Sequence, residues 1–169
     1  MLNEYDSLCV KFLRAIDCVE SGDMFGWFKK KSPDTEIDSD ALSDEQVRTL
    51  YIAAQMIKSE LMMSGESDDF LRSKFVRGYI VGFFDASLQY KNINPVGFDG
   101  FFRAVQKGCL FLFEGNLKLS VEYAPESMAL IGDEEFNKGR RAAGTEYFGY
   151  MQGTLRVPTG LSKYFFENF

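Results

Sequence analysis

The chain contains no histidine, and this single absence excludes several classes of enzyme. Ser-His-Asp and Cys-His catalysis need an imidazole as the general base, and most protein zinc sites and pH switches use one as well. A bound metal would therefore have to be a hard cation held by carboxylates. Adjacent acids such as Asp133 to Glu135 point in different directions on a helix. We therefore expect no metal site and no cofactor.

Cysteines and long apolar runs are also scarce. The three cysteines, Cys9, Cys18 and Cys109, form no C-x-x-C pair, so the sequence indicates reduced structural thiols rather than a zinc site or a disulfide framework. No apolar run approaches the roughly 20 residues of a membrane span. Glu4 and Asp6 do not fit the basic start of a signal peptide. We expect a cytoplasmic protein with no membrane contact.

Positive charge is the third shortage. Lysine and arginine number 19 against 25 acids, which gives a net charge of −6 and a pI near 4.8. Because a nucleic-acid binder must neutralise phosphates, this balance disfavours a nucleic-acid partner. Apolar residues are abundant by contrast: 46% of the chain is hydrophobic, with 17 phenylalanines, which is enough for a real core.

The most informative segment is residues 71–88, which reads as a helix. Gly78, Gly82 and Ala86 recur every four residues along it, and Asp85 lies near its C-terminal end. Glycine inside a helix costs about 1 kcal/mol relative to alanine. Two glycines one turn apart therefore indicate that another backbone comes very close, so we assign these three small residues to a helix-packing interface.

Helices are also predicted before this segment. Apolar spacing indicates one over residues 4–20. A capping box of Ser43 and Gln46 opens another over 47–61, and Ser67 caps the next. The loop between the first two holds Trp27 and Phe28 beside three lysines. It is read either as a solvated connection or as an aromatic and basic contact patch for phosphate or an acidic partner.

The pattern after Tyr90 indicates strands. Residues 109–113 and 117–123 read as a β-hairpin, Pro125 opens a short helix to about Phe136, and residues 147–157 supply further strands before a last helix over 161–166. The fold class is therefore α+β: N-terminal helices followed by an α-β-β-α-β-β-α unit with an antiparallel sheet. Residues 1–66 form a helical extension and 67–169 the α+β domain, with one compact domain left open.

Arg140 and Arg141 fall in the glycine-containing segment 139–144, which is predicted to be a loop. Guanidinium groups form forked hydrogen bonds with phosphate and carboxylate groups. These two arginines are therefore candidate contacts for a partner.

The order of elements from residue 68, introduced by residues 80–86, resembles the LAGLIDADG homing-endonuclease fold. Gly82, Asp85 and Ala86 match the motif's glycine, first acid and small position. The resemblance implies a motif helix packed against its counterpart, a divalent metal at the helix end and a sheet on DNA. It also implies a homodimer with Gly78 and Gly82 at the two-fold axis.

Two positions depart from that motif. Ser87 stands where the metal-binding acid is expected, and Leu88 stands where the closing glycine is expected. A serine hydroxyl does not supply the charge of a carboxylate to Mg²⁺. The resemblance therefore implies a degenerate motif at Asp85 and Ser87 that has lost cleavage. The alternative is that the small residues mark only a tight helix crossing.

A second resemblance is to small helical immunity proteins of bacterial toxin systems. They carry a run similar to Gly-Tyr-Ile-x-Gly-x-x-Asp-Ala, which spans residues 78–86 here. Those proteins are secreted, cysteine-paired and mainly helical. The strands predicted after residue 108 argue against this assignment.

From these observations we expect a non-enzymatic interaction protein, an acidic α+β module that binds a protein partner. One extension is a phage or mobile-element inhibitor that occupies the basic groove of a nucleic-acid enzyme. Candidate contacts are Trp27, Phe28, Arg140 and Arg141. The alternative is a LAGLIDADG-type endonuclease or DNA-binding protein that acts as a homodimer. A third hypothesis, a structural subunit, predicts a large apolar patch at the C-terminal phenylalanines.

Overall fold

The computed structural model describes residues 42–64, 67–93, 95 and 97–169. Residues 42–169 form one compact unit. The described part contains seven helices and no strand. The helices are α1 (Asp44–Ser64), α2 (Asp68–Arg72), α3 (Lys74–Tyr90), α4 (Gly97–Leu112), α5 (Leu117–Met128), α6 (Glu134–Met151) and α7 (Gly160–Asn168).

The predicted α+β fold is therefore wrong over the described residues. The expected hairpin at 109–123 is the end of α4, a turn at Gly115 with φ +91°, and the start of α5. Leu117 is 75% exposed while Ser120 and Tyr123 are buried. The apolar and polar residues do alternate in the sequence, but burial follows the three-to-four residue spacing of a helix. Asn116 caps α5 by accepting a hydrogen bond from the Leu119 amide.

The predicted loop at 139–144 and strands at 147–157 are also wrong. Residues 139–151 belong to α6, which Asp133 caps by accepting hydrogen bonds from the amides of Glu135 and Phe136. Pro125, expected to open a helix, instead lies inside α5. Gly139 and Gly144, which bound the predicted loop, are helical, and Gly139 is required by a close helix contact described below.

Several helix predictions are confirmed. The Ser43 hydroxyl accepts from the Gln46 amide at 3.2 Å, and the Gln46 side chain accepts from the Ser43 amide at 2.8 Å, which is the expected capping box of α1. Ser67 caps α2 through the Phe70 amide. The helix expected to follow Ser67 is interrupted, because Ser73 is a second cap that accepts from the Val76 amide. The helix predicted over 161–166 is also present, as α7.

Helix α3 is the centre of the domain and is buried along most of its length. Its most extensive contact is with α6, and it also contacts α1, α2, α4, α5 and α7. Helix α1, which the sequence analysis placed in the extension, packs against α3, α4 and α7. The predictions made for residues 1–41 lie outside the described residues.

Candidate functional site

Helices α3 and α6 run side by side in the same direction and touch through their backbones. Lys74 bonds Asp133 near one end of the pair, and the Tyr90 ring meets that of Phe148 near the other. A Cβ added at Gly82 would lie 2.6 Å from the Cα of Arg140, and one added at Gly78 would overlap the Phe136 carbonyl. We call this contact the seam.

Glycine on α6 completes the seam. A Cβ at Gly139 would overlap the Phe75 carbonyl oxygen and lie 2.8 Å from the Tyr79 amide nitrogen. Side chains cannot be placed between backbones at such separations. The seam therefore fixes how the neighbouring side chains of α3 and α6 are presented to solvent.

A cleft of about 220 Å³ lies along one edge of the same helix pair. Asp85, Ala86 and Gln89 line it from α3, and Asn137, Arg140, Arg141 and Gly144 line it from α6. These residues follow three-to-four residue spacing on each helix, so each helix contributes a single face. We call this feature the cleft.

Asp85 is fixed at the wall of the cleft by two partners. Its Oδ2 accepts from the Arg140 guanidinium at 3.0 Å, and its Oδ1 accepts from the Gln89 amide at 2.8 Å. Each carboxylate oxygen therefore has one protein donor. The described residues contain no cluster of three or more metal-ligating side chains. Asp85 orients Arg140 in this arrangement.

Ser87 faces away from Asp85. Its side chain is completely buried, and its hydroxyl donates to the Phe84 carbonyl at 2.7 Å. Leu88 is buried as well, at 1% exposure. The two positions of the degenerate motif, Asp85 and Ser87, therefore lie on different sides of α3, one toward the cleft and one toward the core.

Arg140 and Arg141 both line the cleft. Arg140 is partly buried with 31% of its side chain exposed, and Arg141 is exposed. Asp85 neutralises only one of the two positive charges. The amides of Gln89 and Asn137 supply further hydrogen-bonding groups beside them. Guanidinium and amide donors in a recess of this size suit a carboxylate or amide side chain of a partner. Trp27 and Phe28 lie outside the described residues.

A second polar cluster, which the sequence analysis missed, lies between four helices. The Tyr79 hydroxyl is 3.0 Å from Oε1 of Glu60 and 2.7 Å from Oε2 of Glu146. The Leu161 amide donates to Oε2 of Glu60, and the amides of Thr159 and Gly160 donate to Oε2 of Glu146. The two glutamates therefore hold the start of α7. The sequence did contain one signal for this cluster, because Glu60 is an acid that falls in the apolar stripe of α1.

Burial dominates the electrostatics of this cluster. It raises the pKa of Glu60 from 4.5 to about 8, and the nearby Glu146 carboxyl adds to the shift, while the Leu161 amide opposes it. Burial also raises the pKa of Tyr79 well above its usual value, with Glu60 and Glu146 adding to the effect. The tyrosine therefore stays neutral in the folded protein.

Two other buried polar groups have structural roles. Arg77 donates to Glu126 at 2.7 Å and lies 4.6 Å over the ring of Tyr123, which ties α3 to α5. Cys109 is a free thiol whose pKa burial raises to about 12. The thiolate is the reactive form of cysteine, so this residue is inert at neutral pH.

Comparison with family models, with curated proteins and with solved structures finds no match to this chain. The α-β-β-α-β-β-α order that the endonuclease resemblance implies does not occur in the described residues, so that resemblance now depends on the local run at 80–86. None of the helices described could cross a membrane, because none is both long and apolar enough.

Proposed function

We propose that this chain is a non-enzymatic helical protein that binds a protein partner and inhibits it, in the manner of a small immunity protein. The observation that carries the proposal is the state of Asp85. Its Oδ2 accepts from Arg140 and its Oδ1 accepts from Gln89, so the one acid of the run at 78–86 orients a cation of the protein itself at the wall of a surface cleft.

The other residues of that run also serve packing. Gly78 and Gly82 form the seam, and Tyr79 is buried between two glutamates. The run therefore builds a helix pair with a cleft at its edge. This is what a binding protein needs, because binding requires a fixed surface and no reacting group.

The helical fold also removes the argument that stood against the immunity-protein resemblance. That argument was the pair of strands predicted after residue 108, and residues 97–128 form two helices. The chain still differs from those proteins in its cysteines, because Cys109 is free and buried. We place the protein in the cytoplasm as part of this proposal.

Surface chemistry supports a protein partner. Large apolar side chains stand in water on two helices: Leu117 and Val121 on α5 are 75% and 47% exposed, and Phe166 on α7 is 76% exposed. Exposed apolar groups of this size are frequent anchors of protein interfaces. The net charge of −6 also suits a partner with a basic surface, including the groove of a nucleic-acid enzyme.

The alternative, a DNA-binding homodimer joined through Gly78 and Gly82, meets a specific difficulty. Helix α6 of the same chain already occupies both glycines. Such a dimer would require the seam to open, which would expose much of the buried surface of α3.

Affinity capture with matched variants tests the proposal. Gly144→Leu fills the cleft, because a Cβ at Gly144 has nothing within 4 Å. Arg141→Glu reverses a charge in the cleft, and Arg156→Glu makes the same change at an exposed position that does not line the cleft. We expect one host protein to bind the wild type and Arg156→Glu but not Gly144→Leu or Arg141→Glu, and to be inhibited by the wild type in its own assay.

A nuclease assay covers the alternative. The wild type is incubated with DNA libraries and Mg²⁺ or Mn²⁺, with Asp85→Asn as control. We expect no cleavage. Cleavage that Asp85→Asn abolishes would overturn the proposal in favour of the endonuclease reading. A partner that still binds Arg141→Glu and Gly144→Leu would remove the cleft from the interface and leave the function standing.

A further inference from the structure

The cluster of Glu60, Tyr79 and Glu146 poses a problem of hydrogen count. The tyrosine oxygen lies within hydrogen-bond distance of two carboxyl oxygens, at 3.0 Å and 2.7 Å. A phenol has one hydrogen and can donate it to only one of them. Ionised carboxyl groups are acceptors only, so the second contact needs a hydrogen that a carboxyl group supplies.

The surroundings identify which carboxyl group holds that hydrogen. Oε2 of Glu146 faces three donors: the amides of Thr159 and Gly160, at 3.0 and 2.9 Å, and the Tyr79 hydroxyl. Hydrogen bonds from several donors favour the charged form of a carboxyl group. Glu60 is only 1% exposed, and the Leu161 amide donates to its Oε2, which leaves Oε1 to face Tyr79.

We propose that Glu60 is protonated in the folded protein and donates to the Tyr79 oxygen, and that loss of this one proton unfastens the start of α7. The groups that act on Glu60 are Tyr79 on α3, Glu146 on α6 and the Leu161 amide on α7, and none of them is a cation. The burial that raises the pKa of Glu60 to about 8 supports the same assignment.

Helix α7 is the element that moves, because it covers the cluster and is short. It has nine residues, packs against α1, α3 and α6, and meets α2 through the rings of Phe165 and Phe70. Opening it lets water hydrate the Glu60 carboxylate, whose ordinary pKa is 4.5. Between that value and about 8 the closed form holds one more proton than the open form. Rising pH therefore favours opening, and the opening equilibrium increases by up to about tenfold for each pH unit in that window.

Opening would expose aromatic surface. The ring of Tyr164 on α7 stacks on Phe75 at 4.2 Å, and the ring of Phe165 meets Phe70 at 5.3 Å. With α7 in place, Phe70 is completely buried. The cluster is therefore an alkaline-sensitive latch over an aromatic surface, and this role does not depend on the partner-binding proposal.

Carbon NMR of the glutamate carboxyl groups tests the assignment directly. We expect the Glu60 carbon to titrate near pH 8, and that signal to vanish in Glu60→Gln. The Leu161 amide donates to Glu60 and the Lys163 amide donates to the Thr159 carbonyl, so both report on the start of α7. Their hydrogen exchange, corrected for intrinsic rates, is expected to show an opening equilibrium that increases between about pH 5 and pH 8. A Glu60 midpoint near 4.5 would overturn the proposal.

Two variants separate the two carboxyl groups. Glu60→Gln has the shape of the protonated acid and can donate to the Tyr79 oxygen while it accepts from Leu161. We expect it to keep α7 closed and to remove the pH dependence of exchange. Glu146→Gln removes the charge that accepts three donors, so we expect faster exchange at every pH with the pH dependence retained. The reverse pattern for the two variants would overturn the assignment.

Discussion

The seam and the cleft are built by the same two helices and obey opposite rules. In the seam the backbones of α3 and α6 touch, and no Cβ fits at Gly78, Gly82 or Gly139. In the cleft a Cβ at Gly144 would meet nothing within 4 Å. The residue type is the same in both places, but in the seam glycine is required by space and in the cleft it leaves space unfilled.

This difference separates stability from recognition along α6. A change in the seam disturbs the packing of α3, which holds the domain together, whereas a change in the cleft leaves that packing in place and alters what the surface can accept. Variants of the two kinds can therefore be compared within one helix, where helix propensity is nearly the same for each.

The largest effect is expected for Gly139→Ala. The new methyl group would overlap the Phe75 carbonyl oxygen, a backbone atom that cannot rotate away. We expect the free energy of unfolding to fall by about 3 kcal/mol, the upper end for overpacked cores. Urea unfolding followed by circular dichroism measures it. An unchanged midpoint would mean that the helices separate at no cost, and the seam would not be a constraint.

The matched control, Gly144→Ala, is expected to act in the opposite direction. Its methyl group enters open space, and alanine favours a helix over glycine by about 1 kcal/mol. We expect a stability gain of about that size in the same unfolding experiment. A loss instead would show that the cleft is closed in solution.

The smallest effect is expected for Asp85→Asn. The pair with Arg140 is partly exposed, with 25% and 31% of the two side chains accessible, so its loss should cost less than about 1 kcal/mol. The difference from wild type should shrink in 1 M salt, because screening weakens such pairs. A loss of several kcal/mol would place Asp85 with the seam and not with the cleft.

Local signals in the sequence predicted where two of the helices start. The capping box at Ser43 and the cap at Ser67 depend on residues three positions apart, and such contacts can be read from one sequence. The strands after residue 108 failed for a physical reason. In α5 the alternation of apolar and polar residues includes Leu117 and Val121, which are apolar but stand in water. Apolar residues on the surface of the helix therefore produced the alternating pattern that is typical of a strand.

The site was harder to predict than the helices. The sequence marks Asp85 as a special acid, but its partner Arg140 lies on another helix, in the segment 139–144 that is predicted to be a loop. The sharing of Tyr79 between Glu60 and Glu146 joins three helices, and although Glu60 is an acid in an apolar stripe, nothing local in the sequence identifies its partners. Long-range pairs between polar side chains are set by the fold, so they cannot be predicted when the predicted fold class is wrong.

The seam also affects how the chain is made. Gly78 and Gly82 pack against the backbone of Phe136 and Arg140, which are synthesised only after α4 and α5. Until α6 leaves the ribosome, α3, the most extensively buried of the described helices, has no partner for that face. Partly synthesised chains would therefore be prone to self-association and would need the help of chaperones.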